Sequence, residues 1–206
     1  LIEGKSIKNN IKIKNNIIIT GPNAAGKTTL LKSTILNVLL SQQLGMGFYK
    51  NIKMQPFDHI YCYLNIPDTS GRDSLFQAEA RRCGNILSNI QKKSTERHFC
   101  IFDELYSGTN PYEAIASAYS YLEVISKNKN VTFLLTTHFI KLCELFKKNK
   151  KIENRNMDTR MVGDTPKYTY KLINGISQIK GGISVLQNLG YPSEIISKTK
   201  EILKIL

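Results

Sequence analysis

Short apolar runs alternate along this chain with longer segments in which apolar residues return every three or four positions. Asn16-Ile17-Ile18-Ile19-Thr20 is brief and β-branched, the pattern of a strand buried on both faces. From Lys27 to about Leu44, Leu30, Leu31, Ile35, Val38 and Leu39 recur at helical spacing, and Gly45-Met46-Gly47 ends that helix. His59 to Leu64 reads as a strand, and a helix from near Ser74 to about Gln91 buries Phe76, Ala80, Cys83, Ile86, Leu87 and Ile90. His98 to Phe102 is a second apolar strand, ending in Asp103-Glu104. A helix from about Tyr112 to Ser126 and a buried strand from Val131 to Leu135 follow, then Thr136-Thr137-His138 and a short helix from Phe139 to Phe146.

The period then changes. Asn156 to Val162 and Tyr168 to Ile173 alternate like antiparallel strands joined by Gly163-Asp164-Thr165-Pro166. Ile183 to Leu189 and Ser193 to Leu206 read as closing helices. Before the first buried strand, Ile7, Ile11 and Ile13 fit an edge strand or two, and Pro67-Asp68-Thr69-Ser70-Gly71 is loop chemistry. Strands alternating with helices predict one α/β domain with a mainly parallel core sheet, helices on both faces and an antiparallel edge.

The turn between the first strand and helix carries the most chemistry. Gly21-Pro22-Asn23-Ala24-Ala25-Gly26-Lys27-Thr28 has the form G-x-x-x-x-G-K-[ST], the phosphate-binding loop, and it stands between a strand and a helix as that loop requires. Gly21 and Gly26 let the backbone bend and turn its N–H groups inward, and the helix start adds partial positive charge. Lys27 is placed to reach β- and γ-phosphates, and the Thr28 hydroxyl to bind Mg²⁺. Four apolar residues ending in Asp103-Glu104 form the matching Walker B strand. Asp103 is expected to hold Mg²⁺ directly or through water, with Glu104 as general base on the attacking water; either acid has the alternative of capping the next turn. His138 follows a strand expected to lie beside the Walker B strand, where ligands of parallel sheets bind, and reads as a γ-phosphate sensor with a structural role as the alternative. His59 and His98 read as strand-edge residues.

The bulk numbers exclude little. Lys and Arg total 29 against 16 Asp and Glu, a net charge of +13 over 206 residues. That charge fits attraction to nucleic acid, and equally a Lys/Asn/Ile bias such as the AT-rich genome of a large DNA virus or another AT-rich source imposes. The cluster Lys147-Lys148-Asn149-Lys150-Lys151 reads as a solvated connector. The lysines are spread, with no basic stripe interleaved with stacking aromatics, so no sequence-specific DNA contact is expected. Cys62, Cys83, Cys100 and Cys143 are scattered without a C-x-x-C, which predicts free thiols and an intracellular setting. No run is long enough for a membrane span. A chain that begins at Leu1 and stops within a helical pattern is expected to be part of a longer protein.

Together the motifs resemble a family. Gly21 to Thr29 is similar to the Gly-Pro-Asn-x-x-Gly-Lys-Ser-Thr loop of the MutS mismatch-repair ATPases. Asp103-Glu104-Leu105-Tyr106-Ser107-Gly108-Thr109-Asn110 resembles that family's Asp-Glu-x-x-x-Gly-Thr segment, and Leu134 to Phe139 its Ala-Thr-His stretch. Ser74-Leu75-Phe76-Gln77-Ala78-Glu79 matches a Ser-x-Phe-x-x-Glu element. Tyr170-Lys171-Leu172 with Gly175-Ile176-Ser177 resembles the Tyr-Lys-Leu then Gly-x-x-x-x-Ser-x-Gly region, Gly181 or Gly182 standing for the last glycine.

The resemblance implies a P-loop NTPase of the ABC/MutS type over residues 1–190, with 191–206 opening a helical dimerisation region. It implies ATP and Mg²⁺ as cofactors, ATP hydrolysis, and a homodimer or heterodimer with another MutS-type ATPase domain. In that dimer Ser74 would reach the partner's γ-phosphate, while Ser107 to Asn110 cross the interface. Taken alone, Ser74 reads as a helix N-cap with Gln77 in the capping-box position, and both roles are compatible. DNA would be met through domains this chain does not contain, in mismatch recognition or, alternatively, in recombination control or chromosome handling. One departure stands out. The family often has an aromatic residue before an Asn to stack on adenine, and the best match, Ser6-Ile7-Lys8-Asn9, has none.

Overall fold

The computed structural model describes residues 6–64, 74–163, 165–179 and 182–205. In chain order its elements are β1 (Asn16–Thr20), α1 (Lys27–Leu44), β2 (His59–Tyr63), α2 (Leu75–Lys92), β3 (His98–Asp103), α3 (Pro111–Lys127), β4 (Val131–Thr136), α4 (Ile140–Leu145), β5 (Ile152–Val162), β6 (Thr165–Asn174), α5 (Gly182–Asn188) and α6 (Ser193–Ile205). One six-stranded sheet runs β2-β3-β4-β1-β5-β6. All neighbours are parallel except β5 and β6, which form the antiparallel edge.

The period of two along β1 decides which helix covers which face. Ile17 and Ile19 point to the side packed by Leu30, Leu31, Ile35 and Val38 of α1. Ile18 points to the side packed by Cys83, Ile86 and Ile90 of α2, Ala118 and Leu122 of α3, and Leu142 of α4. The chain thus leaves β1 toward one face and the adjacent β4 toward the other. This divergence opens a crevice at the carboxyl ends of the strands, the place where such sheets bind ligands.

Local signals set the helix ends. Gly45 takes a left-handed conformation (φ 68°) and its N–H bonds to the Ser41 carbonyl, closing α1. Ser74 caps α2 in a full capping box with Gln77. Asn110 caps α3 and Pro111 occupies the first turn.

Three expectations are corrected. Among residues 6–15 there is no strand: the segment is tied to β6 by side chains, with Asn9 Nδ2 donating to the Tyr170 carbonyl (2.9 Å) and Asn9 Oδ1 accepting from Leu172 N–H (2.8 Å). β5 begins at Ile152 and pairs parallel with β1 before it pairs antiparallel with β6, so a mixed strand replaces a plain hairpin arm. His98 lies on the interior strand β3 and is fully buried; its Nε2 hydrogen-bonds the Lys93 carbonyl and its ring stacks 5.0 Å from His59. His59 does begin the edge strand β2. The loop read from Pro67 to Gly71 lies outside the described residues.

One side chain joins two central strands. The buried Phe133 N–H donates to Asn16 Oδ1 at 2.8 Å. Asn16→Leu keeps the volume and removes the acceptor, leaving that N–H unpaired in the core. It is expected to cost about 1–3 kcal/mol, read as a lowered urea midpoint at unchanged slope. An unchanged midpoint would show that the amide has another partner.

Candidate functional site

Four chain segments meet at the carboxyl edge of the parallel strands. The loop from Gly21 to Gly26 leaves β1 with Gly21 at φ 151°, Ala24 at φ 64° and Gly26 at φ 92°, and α1 starts at Lys27. Ala24 is the one non-glycine of the three in the left-handed region, at a cost of about 1–3 kcal/mol that the surrounding packing must hold. Gly21 is confined as well: a Cβ there would lie 3.2 Å from the Cβ of Met157 on β5.

Lys27 folds back over this loop. Its Nζ donates to the carbonyls of Gly21 (2.8 Å) and Pro22 (3.2 Å), and only 6% of the residue is exposed. Burial lowers its pKa, while the carboxylates of Glu104 and Asp103 pull it back up. On the next residue, Thr28 Oγ1 donates to Asp103 Oδ2 at 2.9 Å. The other Asp103 oxygen accepts from the Thr136 hydroxyl at the end of β4. A hydroxyl beside a carboxylate is a hard oxygen donor set of the kind Mg²⁺ uses when phosphates and water complete its shell, so these residues fit that ion.

Glu104 leaves the end of β3 in a left-handed turn (φ 53°), with its N–H bonded to the Thr136 carbonyl at 3.0 Å. His138 stands next to it, Nδ1 lying 3.6 Å from Glu104 Oε1. β3 and β4 are neighbours, which brings Asp103-Glu104 and His138 to one edge. A cavity of about 680 Å³ opens between the loop and Glu104, lined by Asn23, Ala24, Gly26, Lys27, Thr28, Thr29 and, from far along the chain, Tyr170. A second cavity of about 360 Å³ lies across Pro22 and Asn23 and takes in Glu104, His138 and Ser177. Ser74 lines neither cavity; it sits at the start of α2.

Two contributors, Tyr170 with Asn9 and Ser177, stand in the sequence motifs without a site role of their own. Tyr170 lies on β6 with its ring against the loop, so that a Cβ on Gly26 would come within 3.1 Å of it. Asn9 binds the backbone on both sides of Lys171, at the Tyr170 carbonyl and the Leu172 N–H, and so brings Ser6 and Ile7 into the same cavity. The signal was a remote pairing, 161 residues apart, which no local pattern carries. Ser177 is the second: its N–H donates to Thr20 Oγ1 at 2.9 Å, binding the segment after β6 to the end of β1.

A family model described as MutS domain V matches residues 17–206. The chain belongs to the MutS domain V family. It is 35% identical over 193 residues to the DNA mismatch repair protein MutS of Parabacteroides distasonis, covering 92% of this chain and 22% of that protein. The same named protein of Persephonella marina is 30% identical over 201 residues (96% and 23%), and that of Chlamydia abortus 31% over 213 residues (100% and 25%). The chain thus spans about a quarter of the length of the MutS proteins it matches. None of these sources is a virus, and the viral origin suggested by the Lys/Asn/Ile bias has no support. No helix among the described residues is long and apolar enough to cross a membrane, and all four cysteines are free thiols.

The contact of His138 with Glu104 bears on the charge of that carboxylate. It is the leading cause holding the Glu104 carboxyl below the usual glutamate range; Lys27 adds to it and burial opposes it. The folded state therefore binds this proton less readily than the unfolded chain. The resulting stability is present above the ordinary glutamate value and is lost as pH falls through the lowered folded value. His138→Ala is expected to raise the Glu104 titration midpoint, followed by carboxyl-carbon NMR. A midpoint that stays put would remove His138 as the cause.

Proposed function

We propose that this domain hydrolyses ATP and serves a MutS-type protein that couples nucleotide turnover to DNA mismatch repair. The observation that carries the reading is the meeting of Lys27, Thr28 and Glu104 around one cavity at the carboxyl edge of β1 and β3, with Asp103 hydrogen-bonded to Thr28. The relatives are DNA mismatch repair proteins, which supports the process.

In this reading the loop from Gly21 to Thr29 cradles the phosphates through its backbone N–H groups, and Lys27 exchanges the carbonyls it now binds for phosphate oxygens. Thr28 and Asp103 hold Mg²⁺, which neutralises charge on the phosphate oxygens when bound. Glu104, kept ionised, accepts the proton of the attacking water, and His138 orients that carboxylate and senses the γ-phosphate. Tyr170 supplies the aromatic platform for the base that the segment from Ser6 to Asn9 lacks.

Ser74 stands away from its own cavity, at an exposed helix start, and acts on the γ-phosphate bound by a second MutS-type domain in a homodimer or heterodimer. DNA is engaged by other parts of the full-length protein.

Two substitutions test the reading. Glu104→Gln is expected to retain ATP binding and lose at least about a hundredfold in kcat, because it removes the base and leaves the loop and metal ligands intact. Wild-type turnover in that variant would place the base elsewhere. Tyr170→Ala is expected to weaken ATP binding about tenfold or more while leaving pyrophosphate binding unchanged. Equal loss for both ligands would mean that Tyr170 shapes the loop and does not hold the base.

A further inference from the structure

The turn that carries Glu104 is strained. Glu104 (φ 53°) and Tyr106 (φ 58°) both adopt left-handed backbone, which costs ordinary residues about 1–3 kcal/mol each, so neighbouring structure must over-determine the turn. Leu105 and Tyr106 are buried beneath it and anchor its start. Its far end is held by one side chain of another element. Glu79, in the second turn of α2 and 2% exposed, accepts from Ser107 N–H (3.1 Å) and Ser107 Oγ (3.0 Å) at Oε1 and from Gly108 N–H (3.0 Å) at Oε2. Both carboxylate oxygens are therefore spent on two successive residues of the turn. Gly108 packs so closely that a Cβ there would stand 2.7 Å from Phe76 N and 2.8 Å from Leu75 Cγ. The Phe76 and Tyr106 rings add a contact at 5.8 Å between centroids.

We propose that Glu79 is the positioning residue of the hydrolytic site. It does not line the cavity. It pins Ser107 and Gly108 and so holds the strained turn that aims Glu104 at the attacking water. The inference rests on the reading of Glu104 as base. The chemistry of a carboxylate is specific to the task, because three converging donors need acceptors on both sides and a buried group with two equivalent oxygens supplies them. A glutamine in the same place must turn its NH₂ toward at least one N–H. Since α2 begins at Leu75, the same clamp makes the base turn and the Ser74 helix start one body.

The test uses the full-length protein with DNA present. Glu79→Gln is expected to lower kcat about tenfold to a hundredfold, the loss that follows from misplacing a reacting group by a fraction of an ångström to an ångström, with ATP Kd within about twofold of wild type. Amide exchange at Ser107 and Gly108 should quicken in the same variant. Ser107→Ala removes one of the three donors and should lower kcat about threefold at an unchanged melting temperature. Turnover within twofold of wild type in Glu79→Gln overturns the proposal, as does a loss of ATP binding that keeps step with the loss of kcat. If Glu79→Gln does not fold, Ser107→Ala decides, and an unchanged kcat there overturns it. Glu104→Gln assayed alongside separates the two claims: wild-type turnover in that variant ends the base assignment, whereas its inactivity beside an active Glu79→Gln ends the Glu79 assignment alone.

Discussion

A buried ammonium is the constraint on which the site turns. Lys27 stands in a place where burial works against its charge, and two loop carbonyls and two carboxylates compensate. Each compensating group has a structural consequence. The carbonyls are reachable because Gly21 and Gly26 let the loop wrap around the lysine. The carboxylates are reachable because the sheet order puts β4 alone between β1 and β3, so Asp103-Glu104 ends beside the start of α1. The carbonyls are the replaceable members of this set. A phosphate would offer the ammonium a stronger, charged acceptor than a carbonyl does.

The same sheet order explains why functional groups at remote positions converge. In a parallel sheet every strand finishes at one edge, so Thr20, Asp103, Thr136 and Asn156 all arrive at the same rim. Thr136 binds Asp103, Thr20 binds the Ser177 amide, and the Asn156 side chain donates to the Asn174 carbonyl. Polar residues at strand ends thus pair with one another before any ligand is considered. The loop fits closely on β5, where Met157 fills the space that a side chain on Gly21 would need.

Much of this was legible in the sequence because local chemistry decides it. The phosphate loop, the run into Asp103-Glu104 and the capping residues Ser74 and Gly45 each act within a few positions, and α1 has the span its periodicity predicts. The misreadings share a different cause. Residues 6–15 carry isoleucines at strand-like spacing, yet their polar partners lie on β6, more than 160 residues away. Ile11 and Ile13 pack against the α1 side of the core without joining a ladder. The first part of β5 was missed because Glu153, Asn154 and Arg155 look like surface residues. They pair with β1, and Asn154 Nδ2 donates to the Cys143 carbonyl while Arg155 bonds Glu153. Tyr170 and Glu79 matter through contacts with other elements, which a single sequence does not display.

The lysines show how topology can look like selection. Lys14, Lys129 and Lys151 line a polar cavity of about 200 Å³ at the amino ends of β1, β4 and β5, so residues far apart in sequence form a basic patch in space. A composition rich in lysine has to put those residues somewhere, and charged side chains stay in water. In a parallel sheet the solvent-facing connectors that precede strands all lie at the edge opposite the site. Uniform enrichment is thereby sorted onto one end without any ligand to favour it. Asn16 and Asn128 in that cavity are committed to the fold, the first to Phe133 and the second to the turn before β4. A patch built this way would attract polyanions by counterion release at low salt, a term that carries no information about base sequence. The carboxyl edge differs in kind: there Lys27, the one buried lysine among the described residues, is held by two loop carbonyls and two carboxylates. Charge held against burial marks the candidate site of this domain, whereas charge left in solvent follows its composition.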